Sequence, residues 1–536
     1  MSGVGKGVAT SSICKILQAR GFHVNPIKVD PYLNVDAGTM NPTEHGEVFV
    51  LKSGLETDQD MGNYERFLGV ELRSENYMTS GMIYKGVIEK ERNLGYKGKC
   101  VEAIPHIRDE IIRRIELSAD INGSNVTVVE IGGTVGDYQN ILFIEAARVM
   151  KLKNIDDVVF VLVTYLPIPN KIGEMKTKPS QNAVRQLNSY GVQPDIIIAR
   201  SEIALDKKRK EKIAISCSVR PENVISAPDI DSIYEVPVNF EKDELGEKIM
   251  KLLKEKKRSS SEGMAKWGNF VKKVRSTKSS IDIAIVGKYF DTGDFVLSDA
   301  YLSVIEAIKF SSYHLGSKPN LHWLNSKDFE SGKNALAKLK NYDGIIVPGG
   351  FGDTGIEGKI KVIRHARLNK IPYFGLCYGM QLAVVEYARN VLGFKDANTT
   401  EINPDTKHPI IDIMGDQKEK LIRKDYGGSM RLGSYLAVLK NGSIARHAYG
   451  KELIDERHRH RYEVNSEYVE KLEGAGLVFS GRSPDGRLME IAELPKKIHP
   501  FFLGTQFHPE FKATPLEPHP LFTEFLKASI KSKFRS

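Results

Sequence analysis

Pro372-Tyr-Phe-Gly375-Leu-Cys377-Tyr-Gly379-Met-Gln381 decides how the second half of the chain is read. Its first residues have the character of a short buried strand, and the apolar residues 382–388 that follow read as a helix. Gly-x-Cys-x-Gly between a strand and a helix is the thiol counterpart of the nucleophile elbow. Its glycines permit a turn tight enough to push the nucleophile out at the tip. A cysteine so placed sits at a helix N-terminus, whose partial positive charge favours the reactive thiolate. Taken alone, the pentapeptide also fits a buried structural cysteine beside a loop.

Outward from the elbow, residues 281–287 and 344–347 are further apolar runs, so the elbow strand belongs to an alternating series. The first half has the same character. Residues 22–29, 125–131, 157–164 and 195–199 read as buried parallel strands, with helical patterns such as 141–152 and 181–189 between them. This alternation predicts two doubly wound α/β domains. Residues 251–280 are basic and Ser-rich, with one apolar patch around Trp267 and Phe270. They read as a linker between a domain over 1–250 and one over 281–536.

Composition sets the frame. A chain of 536 residues exceeds one compact core, and 41% hydrophobic with 27% charged residues is the balance of a globular protein. The net charge of +9, from 77 Lys+Arg against 68 Asp+Glu, is scattered. It implies an affinity for anionic ligands in general, and without an aromatic–basic motif no nucleic-acid partner is expected. Cys14, Cys100, Cys217 and Cys377 form no CxxC pair, which argues against a disulfide framework or zinc site and fits a reducing cytosol. The most apolar run, 158–166, is too short for a membrane span, so a cytoplasmic protein is expected.

Gln506-Phe-His508-Pro-Glu510 gives the elbow its context. A cysteine nucleophile needs a base, and the base needs an orienting group. On a straight strand, residues two apart share a face, so His508 and Glu510 are expected side by side, with Pro509 biasing His508 towards an extended conformation. Pro348-Gly349-Gly350-Phe351-Gly352 follows a strand, and its backbone N–H groups are expected to form an oxyanion hole with that of Tyr378. Together these motifs resemble the class I glutamine amidotransferases from about Ile281 onward. The resemblance implies that Cys377 attacks the glutamine side-chain amide, that His508 handles protons and that Glu510 orients His508. It further implies that Gly350, Tyr378, Gly379, Met380, Gln381, Glu401 and Arg461 hold glutamine.

In the first half, Ser2-Gly-Val-Gly5-Lys6-Gly7 ahead of the helical residues 8–18 looks like the end of a phosphate-binding loop. Glu56-Thr-Asp58-Gln-Asp60 offers carboxylates for magnesium or else forms an exposed acidic turn. Glu130-Ile-Gly-Gly-Thr-Val-Gly136 closes a strand, where α/β ligands bind. Lys176-Thr-Lys178-Pro-Ser-Gln181 reads as a triphosphate site or a solvated basic loop.

Longer stretches are more specific. They include residues 28–40, His45-Gly-Glu-Val-Phe-Val, residues 56–67, Glu130 to Asp137, Lys176 to Gln181 and Arg457-His-Arg-His-Arg-Tyr-Glu-Val-Asn465. Across the chain these resemble the CTP synthases. The resemblance implies that Ser2, Gly3, Val4, Gly5, Lys6, Gly7, Asp60, Asp229 and Ile230 bind ATP. Asp60 and Glu130 would hold Mg2+, and Lys28 would stabilise the transferring phosphoryl group. Asp137, Tyr138, Gln139, Lys176, Thr177, Lys178, Pro179, Ser180, Gln181 and Lys212 would hold UTP or the feedback inhibitor CTP. It implies ATP, UTP and glutamine as substrates, GTP as an activator, a homotetramer, and a shielded passage for ammonia between the domains.

Three departures from the family pattern carry expectations. The family has a buried strand and two further glycines ahead of Ser2, so the chain as written is expected to be a poor ATP-dependent synthase. Asp137-Tyr-Gln139-Asn stands where the family has Asp-Ile-Glu-Ser, which predicts weaker CTP inhibition. Thr354 replaces the usual arginine, which predicts a reduced GTP response. The rival readings are a cofactor-amidating synthase of the cobyric acid kind and a nucleotide-binding protein that assembles without turnover.

Overall fold

The Val/Ile-rich runs of the first half do form parallel strands, but they build two separate three-stranded sheets. The computed structural model describes residues 3–169, 173–256, 258, 263–287, 298–331, 333–350, 355–413 and 430–533. Along the chain, the strands are β1 (Val24–Asp30), β2 (Phe49–Val50), β3 (Glu56–Thr57), β4 (Tyr77–Thr79), β5 (Val126–Ile131), β6 (Val161–Tyr165), β7 (Ile196–Ser201) and β8 (Val224–Pro228). In the second half they are β9 (Ser279–Gly287), β10 (Ser317–Asn325), β11 (Gly344–Val347), β12 (Tyr373–Leu376), β13 (Asn398–Thr399), β14 (Pro409–Ile413), β15 (Arg431–Leu439), β16 (Leu453–His460), β17 (Tyr462–Val464), β18 (Val478–Arg482), β19 (Met489–Glu493) and β20 (Phe502–Thr505).

Two compact units emerge: Met1–Asp36 with Asn63–Val271, and Ala37–Gly62 with Lys272–Ser536. The first contains the parallel sheets β4-β1-β5 and β6-β7-β8. Both β5 and β6 are edge strands, and both line one cavity of about 590 Å3. Its walls are largely aliphatic, including Val126, Val128, Val161, Val163, Ile13 and Ile249. Residues 265–276, within the stretch expected to be linker, form a helix. Its Trp267 is buried, donates from Nε1 to the Tyr234 carbonyl at 2.7 Å and packs on the Phe67 ring. An aromatic patch too apolar for solvent thus draws this segment onto the first unit.

The second unit is organised by a nine-stranded sheet in the order β10-β9-β11-β12-β20-β19-β18-β15-β16. Its β10 to β20 part is parallel and its β20 to β16 part antiparallel. The helices Ile356–Asn369 and Tyr378–Asn390 bury their apolar faces in the core beside it. The predicted strands 281–287, 344–347 and 371–376 appear as β9, β11 and β12. The short β2–β3 hairpin, from the first half of the sequence, also belongs to this unit. Among the described residues no helix is long and apolar enough to cross a membrane.

Candidate active site

Cys377 stands where β12 turns into the helix Tyr378–Asn390, as the elbow reading requires. It is Cys377 itself that takes the positive φ, +49°. Such a backbone costs about 1–3 kcal/mol and persists only where its surroundings over-determine it. Here the Cys377 N–H donates to the Thr505 carbonyl at 2.6 Å, which ties the elbow to β20. The flanking glycines serve close approach: a Cβ on Gly379 would lie 2.1 Å from the Val347 oxygen, and one on Gly375 would lie 2.6 Å from the Gly379 carbonyl carbon.

His508 and Glu510 meet by a different local geometry from the straight strand expected. β20 ends at Thr505, and Pro509–Lys512 form a single 3-10 turn capped by His508. Proline suits the first position of such a turn, because its missing N–H has no partner there and its φ is already set. The turn brings Glu510 Oε1 to 2.7 Å from His508 Nδ1. A Cβ on Gly349 would meet both the His508 ring, at 2.9 Å, and Cys377 Cβ, at 3.7 Å, so nucleophile and base face the same small space. Burial opposes charge on His508, yet the neighbouring Glu510 carboxylate and the Cys377 sulfur outweigh it and hold the imidazole up at about 10.

Several residues expected to hold glutamine lie close to Tyr462 and to the elbow. Gln381 Nε2 donates to the Tyr462 carbonyl at 2.9 Å and to Gln506 Oε1 at 3.2 Å, and Gln506 Nε2 reaches Cys377 Sγ at 3.6 Å. Burial pushes the Tyr462 hydroxyl up, Glu401 adds to this and Arg461 opposes it, which puts both side chains in the neighbourhood of Tyr462. Met380 lies against Gly504 of β20. Gly349 and Gly350 are described, whereas Phe351, Gly352 and Thr354 lie outside the described residues.

Sequence reasoning missed the buried polar layer next to this site. Arg431 bridges Glu463 at 3.1 Å and Glu490 at 2.8 Å. His458 Nδ1 and His460 Nε2 share a hydrogen bond of 2.9 Å. Burial, with Arg431 nearby, pushes both imidazoles well below the ordinary histidine range, and burial pushes the Glu463 carboxyl well up. The alternation of Glu456, His458 and His460 along β16 was visible as a pattern, but nothing in it marks burial.

In the first unit, Gly5 holds φ +80° and caps the helix Lys6–Gln18, with Gly3 at φ +71° before it. Lys6 Nζ donates to the Gly133 carbonyl at 2.7 Å, which joins the loop to the end of β5. Ser2 lies outside the described residues. Arg200, at the end of β7, donates to Asp229 at 2.6 Å, and its guanidinium would be 3.2 Å from a Cβ on Gly5. Gly5 and Asp229, chosen separately from sequence, are therefore joined by an arginine that sequence reasoning did not select. Its place at a strand's C-terminal end was the available signal.

Lys28 and Glu130 sit opposite each other in the β1–β5 register, with Nζ 3.3 Å from Oε1, and Tyr64 donates to the other Glu130 oxygen at 2.5 Å. Lys176 pairs with Glu174 at 2.6 Å, and Lys212 lowers the same carboxyl. Thr177 accepts from Gln181 at 3.1 Å, and Ser180 shares a 2.8 Å hydrogen bond with Thr164 of β6. Lys178 and Pro179 open the helix Lys178–Ser189. Asp137 accepts from the Thr134 N–H at 2.9 Å, while Tyr138 and Gln139 are exposed. Ile230 follows Asp229 just after β8. Asp60, in the second unit, lies in the first turn of the helix Gln59–Leu68, and its N–H donates to Asp58 at 2.8 Å. Glu56 is not part of an exposed acidic turn; it is buried against Arg459 at 2.7 Å.

A cysteine elbow, a buried His–Glu pair and an amide cradle on one α/β sheet define a class I glutamine amidotransferase unit, here joined in sequence to a second α/β unit with a glycine-rich loop ahead of its first helix. Family comparison agrees in both halves: residues 1–255 match the CTP synthase N-terminus and residues 296–528 match glutamine amidotransferase class-I. A CTP synthase of Halalkalibacterium halodurans is 46% identical over 99% of this chain and 98% of its own length. One from Pyrococcus furiosus is 49% identical over 99% and 97%. The solved glutaminase domain of Trypanosoma brucei CTPS with bound acivicin is 38% identical, covering 47% of this chain and 94% of that one, with a TM-score of 0.43. The chain belongs to the CTP synthase family, glutamine-dependent ligases of pyrimidine nucleotide synthesis.

Proposed function

We propose that the chain forms CTP from UTP, ATP and glutamine, with Cys377, His508 and Glu510 as its glutaminase triad. The observation that carries this reading is the placement of His508 between Glu510 and the cysteine elbow. Cys377 sulfur attacks the side-chain carbonyl of glutamine while the backbone N–H groups of Tyr378 and Gly350 receive the oxyanion. His508 carries the thiol proton to the departing ammonia, and Glu510 keeps its ring aligned. Water then releases glutamate. Gly350, Tyr378, Gly379, Met380, Gln381, Glu401 and Arg461 hold the substrate.

In the first unit, Gly3, Val4, Gly5, Lys6 and Gly7 take the ATP phosphates, with Ser2 ahead of them and Asp229 and Ile230 near the adenine. By the family resemblance, Asp60 and Glu130 would hold Mg2+, which would offset charge on the ATP phosphates. The donor set fits, because magnesium needs only one or two carboxylates plus phosphates. Lys28 neutralises charge on the phosphoryl group moving to O4 of UTP, which turns a poor leaving group into phosphate. Asp137, Tyr138, Gln139, Lys176 to Gln181 and Lys212 bind UTP and the inhibitor CTP. Ammonia then displaces the phosphate. We assign GTP as activator, a homotetramer as the assembly and the cytoplasm, where these substrates meet, as the location.

The test is CTP formation with glutamine against CTP formation with ammonia. Cys377→Ala is expected to abolish the first and keep the second. If Cys377→Ala retains glutamine-dependent CTP formation, the assignment of the nucleophile fails. If the parent forms no CTP from either nitrogen source, the synthase reading fails.

A further inference from the structure

The segment Ala37–Gly62 is encoded within the first half of the chain, yet it is packed into the same compact unit as Lys272–Ser536. Its hairpin, β2 and β3, is fastened to β16 and its surroundings by polar contacts. Glu56, almost fully buried, accepts from Arg459 Nε at 2.7 Å. Arg457, also buried, donates to the Val50 carbonyl at 3.1 Å and lies over the Phe49 ring. The Ser434 N–H donates to the Lys52 carbonyl at 3.0 Å, and at the start of the segment Glu47 accepts from the Ser303 N–H and hydroxyl.

The two arginines that hold the hairpin also present their backbone to the catalytic pair. The Arg459 carbonyl lies 3.9 Å from Cys377 Sγ, and the Arg457 carbonyl accepts from the His508 N–H at 2.8 Å. A second route runs through rings: Phe49 meets Phe511 edge-on at 5.0 Å, and Phe511 stacks on the His508 imidazole at 5.2 Å. Three contacts thus join one hairpin to both members of the nucleophile–base pair.

We propose that the Glu56–Arg459 ion pair, with the hairpin that carries Glu56, is a positioning element for the glutaminase triad. It fixes β16 so that the Arg457 and Arg459 carbonyls stand where His508 and Cys377 need them. The physical basis is the asymmetry of a buried pair: with one partner removed, the other charge loses that compensation, and the strand that bears it is drawn to move. A displacement of about 1 Å at a reacting group costs on the order of 100-fold in rate. Glu56 touches no substrate in this account; it acts through Arg459. The inference rests on the glutaminase reading of Cys377.

The test uses the full chain with Glu56→Gln, which keeps shape and removes charge, and Arg459→Lys, which keeps charge and loses the Nε donor. Glutamine hydrolysis is followed as kcat and KM, and Cys377 reactivity as the rate of alkylation by iodoacetamide across pH. Both variants are expected to lose about 10-fold or more in kcat with KM changed less than threefold, and to shift the pH profile of alkylation. The double variant Glu56→Arg with Arg459→Glu is expected to recover part of the loss. Folded variants with kcat and alkylation profile within twofold of the parent overturn the proposal. If Glu56→Gln does not fold, Arg459→Lys decides by the same criteria. If the parent hydrolyses no glutamine, the function reading fails by itself, while the alkylation profiles still decide whether the ion pair sets Cys377 reactivity.

Discussion

Gly379→Ala isolates the steric logic of the elbow. The added Cβ would sit 2.1 Å from the Val347 oxygen and 3.1 Å from its carbonyl carbon, where contacts under 3.0 Å are essentially never found. The helix Tyr378–Asn390 must therefore retreat from β11 by about 0.9 Å. Cys377 is the N-cap of that helix and moves with it. Overpacking of this kind costs about 1–3 kcal/mol of stability, and a shift near 1 Å at the sulfur costs about 100-fold in glutamine hydrolysis. The assay pairs glutaminase kcat/KM with a thermal melt. Gly474→Ala serves as control, because its Cβ would meet nothing within 4 Å and its backbone needs no positive φ. In that helix the exchange is expected to leave activity unchanged and to stabilise by up to about 1 kcal/mol. A Gly379→Ala enzyme within threefold of parental kcat/KM refutes the reasoning.

Further expectations concern acid stability and feedback. Burial holds His499 down at about 4, with Nδ1 accepting from the Phe501 N–H and Nε2 set against the Ala366 carbonyl, and His458 and His460 are depressed too. Such groups are neutral when folded and charge when unfolded. Their stabilisation is complete above pH 6.5 and is lost as pH falls through 6.5 towards the folded values; for His499 this amounts to about 3 kcal/mol. Melting temperature against pH is expected to flatten on its acid side in His499→Gln, and an unchanged acid limb contradicts the assignment. Gln139→Glu restores a carboxylate on an exposed turn and is expected to tighten CTP inhibition about two- to fivefold, the range of an exposed charge pair; titration with CTP decides.

What the sequence revealed depended on whether the signal was local. β5, β6, β7, β9 and β11 are runs rich in Val and Ile, and a run of that kind declares a buried strand without reference to anything distant. The antiparallel strands from β15 to β19 mix Glu, Arg, Ser and Gly with apolar residues, and some of their charges pair inside the unit, as Arg431 does with Glu490. Composition alone cannot distinguish that from a loop. Cys377, His508 and Glu510 were legible because an elbow and a His-Pro-Glu motif constrain chemistry over a few residues. Glu56 was not, since its partner is 403 positions away. Its neighbourhood with Asp58 and Asp60 suggested an acidic turn or a metal site, and only the contact with Arg459 assigns it elsewhere. Arg200 illustrates the same limit, its meaning lying in Gly5 and Asp229 rather than in its own surroundings.

The pairing of β12 with β20 also bears on how the protein is made. Gly375 aligns with Gly504 in adjacent strands, yet Gln506, whose amide reaches Cys377, is 129 residues further on. During synthesis Cys377 leaves the ribosome well before His508, and neither its Thr505 anchor nor the expected proton carrier exists until residues 505–508 have been made. A nascent or truncated product therefore holds a cysteine without the means to spend glutamine. Competence for ammonia release is expected only once residues 505–510 have joined the fold.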